Sequence, residues 1–366
     1  MNGALIAMSG VVDSSVAALL SVEQGFDCVG AMMKLFSNDE IGASGDKACC
    51  SLENAQDARD VAYRLGIPFY VLNYSESFKE FVIDRFIRAY QNGETPNPCI
   101  DCNRFLKFEC LSRRAKELGK DYIVTGHYAR IEPTACGDRF LLKKGLDSSK
   151  DQSYVLYAMT QEKLRSTLFP LGGLTKKQVR EIAIEHGFVN ANKKDSQDIC
   201  FVQDNDYAAF IRQRTGQECP KGRFIDVNGN DLGENRGIIH YTVGQRRGLG
   251  ISYAEPLYVC SINAGSNSVI VGTQAYLYAK TLIARDINLI PVDRLDKSIR
   301  IRARVRYKQP EQAATVWQIG ADALRVEFDE PQRAMTKGQA VVLYDGDTVV
   351  GGGTISEVIT SPYDYN

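Results

Sequence analysis

The pattern of the chain predicts an α/β parallel-sheet domain, followed by a small β-rich domain and a C-terminal β-barrel. Strands and helices alternate through the first 200 residues, which implies a parallel sheet covered on both faces. After about Phe210, short Val/Ile/Tyr-rich runs are parted by turn pairs such as Asn228-Gly229 and Asp345-Gly346, the signature of β-hairpins. At 366 residues the chain also exceeds what one core normally fills. The first strand is the apolar run Ala4 to Met8, which turns at Ser9-Gly10 into a helix over Ser14–Leu20. Cys28 to Met33 is a second strand; helical spacing from Glu53 to Leu65 stops at Gly66, and Pro68 introduces the strand Phe69–Leu72. An amphipathic helix over Phe78–Tyr90 is followed by a turn-rich segment, Asn92 to Pro98, a helix from about Asn103 to Leu118 and the strand Tyr122–Thr125. Two more helices are expected near Gln161–Leu168 and Thr175–His186, the second with Thr175 as N-cap. The expected domains are residues 1–207, 208–278 and 279–366.

Composition narrows the class. The chain is 44% hydrophobic and 24% charged, ordinary for a globular protein and unlike a disordered or collagenous one. No apolar run reaches the length of a membrane span, and the first residues lack a basic n-region, so a cytoplasmic protein is expected. Ten cysteines are too sparse for a disulfide framework. Charge is unevenly spread: residues 1–100 are net −6, residues 101–308 net +11 and residues 309–366 net −6. A basic middle fits nucleic acid, and it equally fits an uneven surface with no partner.

Three segments carry chemistry. Ser9-Gly10-Val11-Val12-Asp13-Ser14-Ser15 joins the first strand to the first helix. Unpaired N–H groups and hydroxyls at such a place suit phosphate, and they also make an ordinary cluster of capping serines. No Gly-Lys-Ser/Thr follows, so it is not a Walker A loop. Thr95-Pro96-Asn97-Pro98-Cys99-Ile100-Asp101-Cys102-Asn103 is stiffened by two prolines and enters a helix, putting Cys102 near a helix N-terminus where thiolate is favoured. A third cysteine, Cys200, lies in Asp195-Ser196-Gln197-Asp198-Ile199-Cys200-Phe201. Taken singly, each cysteine could equally be an inert buried thiol, and one C-x-x-C without a second pair is weak evidence for zinc. Ile299 to Lys308 alternates apolar and basic residues, so a strand there would put five cations on one face about 6.6 Å apart. If all five met phosphates, log affinity would fall against log salt with a slope of about −3.5 to −4.5.

The order of these motifs, with Thr125-Gly126-His127-Tyr128-Ala129-Arg130, Lys150-Asp151-Gln152-Ser153-Tyr154, Gly244-Gln245-Arg246-Arg247-Gly248-Leu249-Gly250 and Gly338-Gln339-Ala340, resembles the bacterial tRNA-specific 2-thiouridylases over essentially the whole chain. These belong to the ATP-pyrophosphatase (PP-loop) superfamily, whose first domain is Rossmann-like. The resemblance implies ATP-dependent 2-thiolation of the wobble uridine (position 34) of tRNA, by adenylation of the C2 oxygen and delivery of persulfide sulfur. It implies Cys102 as nucleophile, Cys200 as persulfide carrier, and a transient Cys102–Cys200 disulfide. It further implies an ATP site lined by Ala7, Met8, Ser9, Gly10, Val11, Val12, Asp13, Ser14, Met33 and Gly126, with Mg²⁺ assisting and Asp13 serving metal or pyrophosphate. Asn97, Pro98 and Cys99 would meet the target base. His127, Lys150, Asp151, Gln152, Arg306, Tyr307 and Gln339 would meet tRNA. A cysteine desulfurase or sulfur-relay protein would be the persulfide donor, and no membrane partner is implied.

The sequence departs from the family loop at Val11, where the pattern has a second glycine. A β-branched residue disfavours positive φ and its side chain crowds an approaching phosphate, so Val11→Gly is expected to lower the KM for ATP. An iron–sulfur cluster on Cys99, Cys102 and Cys200 is a competing sulfur carrier. Two other readings use part of the same residues: a PP-loop ligase or amidating enzyme acting on a small molecule, which needs no paired cysteines, and a non-enzymatic RNA-binding module.

Overall fold

The computed structural model describes residues 2–36, 52–193, 199–202, 204 and 206–359. It divides into two compact units: Met1–Ile83, Cys99–Asn205 and Gly346–Val350 form one, and Asp84–Pro98, Asp206–Asp345 and Gly351–Asn366 the other.

The first unit is built on a five-stranded sheet of β1 (Gly3–Ala7), β2 (Asp27–Lys34), β3 (Phe69–Asn73), β4 (Tyr122–Val124) and β7 (Thr167–Leu168), in the order β3-β2-β1-β4-β7. All four pairings are parallel. Ala4, Leu5 and Ile6 of the central strand are fully buried, which is why this strand reads as an unbroken apolar run. One face packs on α1 (Val12–Glu23), α2 (Leu52–Arg64) and the helix Lys176–Glu185 through Val16, Ala17, Val61, Ala62, Val179 and Ala183. The other face is covered through Leu111 and Ala115. Chain order reverses between β1 and β4, and ligands of open α/β sheets bind at such a switch point, outside the carboxyl ends of the strands.

Two features of this unit differ from expectation. Residues 161–168 are a helix only over Gln161–Arg165, since Thr167–Leu168 pairs with β4 as the edge strand. A hairpin, β5 (Ala129–Pro133) and β6 (Phe140–Lys144), escaped the reading and pairs Leu142 and Lys143 with Val349 and Thr348.

The second unit holds a four-stranded sheet and a barrel. The sheet comprises β8 (Gly222–Asp226), β9 (Asp231–Asn235), β10 (Tyr258–Asn263) and β11 (Ser268–Gly272), ordered β10-β11-β8-β9. The barrel orders β12 (Tyr278–Leu289), β15 (Ala323–Arg333), β14 (Gln312–Gln318), β13 (Ile299–Arg304), β16 (Ala340–Asp345) and β17 (Thr348–Ile359), and closes through β12–β17. Asn228-Gly229 and Asp345-Gly346 are the turns of β8–β9 and β16–β17, as their composition indicates. A helix, Tyr207–Thr215, opens the segment expected to be β-rich, capped by the Asp206 carboxylate. No described helix is long and apolar enough to cross a membrane.

Candidate functional site

The Ser9–Ser15 loop leaves β1 at the switch point and enters α1. Gly10 has φ +76°, and a Cβ there would lie 2.1 Å from the Asn54 carbonyl oxygen, so this position requires glycine. Val11 is extended (φ −105°, ψ 162°) and is the N-cap of α1, without a side-chain acceptor for the first-turn N–H groups. Those groups lie at the positive end of a 12-residue helix. The loop is braced from inside and outside. Ser14 Oγ accepts from Ser9 N (3.1 Å) and donates to Val11 O (3.0 Å). Asn190, 2% exposed, donates through Nδ2 to Gly10 O and Ser15 Oγ, both at 3.0 Å. A hydrogen-bonded turn at a helix N-terminus, lined by serine hydroxyls, is of the kind that suits a polyphosphate.

Asp13 turns its carboxylate to the protein. Lys176 Nζ donates to both oxygens (2.7 and 2.8 Å), and Tyr128 Oη donates to Oδ1 (2.7 Å). Lys176 is the first residue of its helix, whose N-cap Thr175 forms a capping box with Gln178. Gly126, after β4, packs on the same turn, and a Cβ there would come within 2.9 Å of Ser14 N. Met8 is buried and Met33, near the end of β2, is half-buried. Lys176, Tyr128 and Asn190 escaped the sequence reading as parts of this site. Only Thr175, as an N-cap candidate, pointed toward Lys176.

The cysteine-bearing helix starts at Pro98, not Asn103, and runs through a π-helical stretch, Cys102–Cys110, into Leu111–Glu117. Pro98 fits a first helical position because its missing N–H costs nothing there. The shift moves the dipole argument from Cys102 to Cys99, which stands in the first turn and is exposed, while Cys102 is half-buried one turn on. Asn103 is buried and donates to Val155 O (3.1 Å). Cys200 is exposed beside the buried Phe201. Phe201 meets Phe78 edge-to-face (5.6 Å), and Phe81 of the adjoining π-turn stacks on Phe105 (5.4 Å). The Cys200 segment and the Cys102 helix therefore pack against one helical stretch, residues 75–83. Ser196, Gln197 and Asp198 of the Cys200 motif, and Cys49-Cys50, lie outside the described residues.

Burial pushes the Cys28 and Cys260 thiols up to about 11, which marks them as inert. Among the described residues no three His, Cys, Asp or Glu side chains are grouped to hold a metal ion.

His127 is buried, with Nδ1 2.7 Å from Thr125 Oγ1 and Nε2 3.5 Å from Lys107 Nζ. Burial, and secondarily the Lys107 charge, hold its imidazole well below the ordinary range, so it is neutral. Asp151 is also buried and shapes its loop, accepting from Gly145 N, Ser153 N and Ser153 Oγ. Gln152 Oε1 accepts from Tyr128 N (3.0 Å), and Lys150 is half-buried.

In the second unit, Gln339 Nε2 donates to Thr95 O (2.7 Å), bracing the segment that carries Asn97 and Pro98. Arg306 Nη2 donates to Val243 O, Ala334 O and Thr336 Oγ1, while Tyr307 is exposed. The expected strand face of five cations does not form. β13 ends at Arg304, Arg300 is ion-paired with Asp329 and Arg304 with Glu311 (2.9 Å). The acids arrive from neighbouring chain segments, which alternation along one strand does not reveal.

Comparison with known proteins completes the picture. Family models match residues 3–204 (tRNA methyl transferase HUP domain), 208–273 (tRNA methyl transferase PRC-barrel domain) and 279–355 (aminomethyltransferase beta-barrel domain). The chain is 49% identical over 353 residues to the tRNA-specific 2-thiouridylase MnmA of Clostridioides difficile, covering 96% of this chain and 98% of that one. It is 50% identical over 352 residues to the protein of the same name from Acetivibrio thermocellus, with the same coverage. Among solved structures, a 4-thiouridine synthetase–RNA complex with bound ATP is 21% identical, with a TM-score of 0.38 over 56% of this chain and 46% of that one.

Proposed function

The chain belongs to the tRNA-specific 2-thiouridylase family, and from that membership we propose that it is a tRNA-modifying sulfurtransferase that uses ATP to replace the C2 oxygen of the wobble uridine, position 34, by sulfur. The observation that carries this reading is near-half identity to thiouridylases across 96% of the chain. Domain descriptions that mention methyl transfer concern parts of the chain, whereas these relatives span it.

A uridine C2 carbonyl is a poor electrophile with a poor leaving oxygen, so the oxygen must first be activated. ATP arrives as its magnesium complex with its phosphates at the Ser9–Ser14 loop, and Ala7, Met33 and Gly126 complete the site. What supports this placement is the glycine-only turn at Gly10, packed on the Asn54 backbone, and the first turn of α1 without a side-chain cap. Asp13, held by Lys176 and Tyr128, acts by fixing that turn. The uridine O2 attacks the α-phosphorus and pyrophosphate departs. The terminal sulfur of a Cys200 persulfide then attacks C2, and the C2–O bond breaks as AMP leaves with its electron pair. Cys102 thiolate attacks the Cys200 sulfur, the S–S bond to the transferred sulfur breaks toward C2, and a Cys102–Cys200 disulfide remains for a thiol reductant to reopen. A cysteine desulfurase or sulfur-relay protein loads Cys200, whose exposure suits docking of such a donor.

Asn97, Pro98 and Cys99 hold the target base, with Gln339 bracing their segment. Lys150 and Tyr307 meet tRNA, Asp151, Gln152 and Arg306 shape the turns that carry those contacts, and His127 supports from within. The domain division 1–207, 208–278 and 279–366 and a cytoplasmic site of action belong to the same proposal.

The test is mass spectrometry of nucleosides from unthiolated tRNA incubated with the protein, MgATP and a persulfide donor. 2-Thiouridine at position 34 is expected, and it should vanish in Cys200→Ser and in Cys102→Ser. No 2-thiouridine from the unaltered protein overturns the function; undiminished 2-thiouridine from Cys200→Ser leaves the function standing and overturns Cys200 as the sulfur carrier.

A further inference from the structure

The loop Gly244–Gly250 presents two exposed arginines, Arg246 and Arg247. Among the described residues neither guanidinium has an acidic partner, unlike Arg300 and Arg304 of β13. The loop that carries them is tied by hydrogen bonds to itself and to β10. Gly244, Gly248 and Gly250 have φ of +89°, +77° and +69°, and Gln245 spans the turn, accepting from Thr242 N (3.1 Å) and donating to Arg247 O (3.0 Å). Gly244 N donates to Val259 O (2.8 Å) and Val259 N to Gln245 O (2.9 Å), tying the loop to β10.

Neighbouring cations extend the same surface. Arg306 Nη2 donates to Val243 O (3.1 Å) and to Ala334 O (2.9 Å), and Gln309 Nε2 contacts Arg333 O (3.4 Å). A Cβ on Gly244 would lie 3.1 Å from Ala334 Cβ and 3.8 Å from Arg333 Nη1. The loop, the turn bearing Tyr307 and exposed Lys308, and the end of β15 thus meet, and Arg306 is the pin rather than the contact.

We propose that the Gly244–Gly250 loop is an RNA-backbone contact in which Arg246 and Arg247 bind phosphates of the tRNA substrate, continuous with Tyr307 and Lys308. The assignment rests on the thiouridylase reading, which supplies the RNA. A hydrogen-bonded loop holding two exposed guanidinium groups that form no ion pair among the described residues can offer both to phosphates with no internal ion pair to break.

The experiment is filter binding of tRNA to the full chain across a salt series, for the unaltered protein, Arg246→Ala/Arg247→Ala and Arg246→Lys/Arg247→Lys, with thermal melts of each. The alanine pair should flatten the slope of log affinity against log salt by about 1.4–1.8, since each phosphate contact contributes about 0.7–0.9. The lysine pair should restore most of it, and the melting temperatures should match. If the unaltered chain binds tRNA with a steep salt slope and the alanine pair keeps that slope, the loop is not an RNA contact and an acidic protein partner becomes its occupant. If the unaltered chain shows no salt-dependent tRNA binding, the thiouridylase reading itself fails.

Discussion

A valine in place of a loop glycine looks harmful when only the residue type is known. Its backbone shows otherwise: Val11 sits at φ −105°, a region any L-residue adopts, while the left-handed position is taken by Gly10. Of the two objections to Val11, the conformational one disappears. Val11→Gly is therefore expected to cost about 0.5–1 kcal/mol of stability through added freedom in the unfolded chain. KM for ATP should stay within about two-fold, because the side chain is not what shapes the donor-lined turn. Denaturant unfolding and initial-rate kinetics check both halves, and a large fall in KM would restore the steric objection. His127 is a second residue whose environment could not be read locally. Folding holds it neutral, whereas the unfolded chain takes up a proton near pH 6.5. Below that pH the unfolded state binds more protons, so stability present above pH 6.5 is lost as pH falls. His240 shifts in the same direction, by burial first and Arg236 second, so His127→Gln should remove part of the loss. The fall in Tm between about pH 7 and about pH 5.5 should shrink in the variant, a window above the carboxylate range. An unchanged fall would mean that His127 is protonated in the folded protein.

At the scale of elements, what sequence shows depends on whether the partner lies nearby in the chain. The Thr175 cap was legible because its box closes within three residues. The Lys176–Asp13 pair joins residues 163 apart and left no local trace. The same reason explains the basic strand: its cations are consecutive, but their acids, Asp329 and Glu311, come from elsewhere. Pro98 fits both a stiffened loop and the first residue of a helix, and it is the latter. The Lys176–Asp13 pair fastens the helix Lys176–Glu185 to the first turn of α1, with side chains only 11% and 22% exposed. Lys176→Met leaves a mostly buried carboxylate without its cation and should cost roughly 1–3 kcal/mol. Asp13→Asn added to it should recover much of that loss, because the orphaned charge is gone. A thermal-melt cycle of the two single variants and the double measures the coupling, and additive losses would show that the pair does not hold the helix.

At the scale of the whole molecule, the order of motifs along the chain concealed how the units are assembled. The fold class was legible because periodicity changes once, near residue 210. Discontinuity was not legible, because nothing in a short segment says which core it joins. Gly346–Val350 follows almost all of the barrel in sequence but belongs to the first unit. There Thr348 and Val349 pair with Lys143 and Leu142, and Asp347 accepts from Lys144 N (2.8 Å) and from Arg130 Nη2 (2.6 Å). A chain cut after residue 205 would keep the five-stranded sheet and both cysteine segments yet lose this strand. β6 would then present an open edge of backbone N–H and C=O groups, the usual template for association between copies. Arg130 and Lys143 would lose the Asp347 carboxylate that faces them. The truncated chain is therefore expected to associate in size-exclusion chromatography and to melt below the full-length protein. Adding residues 345–351 back through a short Gly/Ser linker should lessen the association and raise the melting temperature, since the strand supplies the missing pairing, while the face of Asp84–Gln91 that packs on Tyr207 and Phe210 stays uncovered. A truncated chain that is monomeric and melts like the whole would show that β6 needs no partner strand.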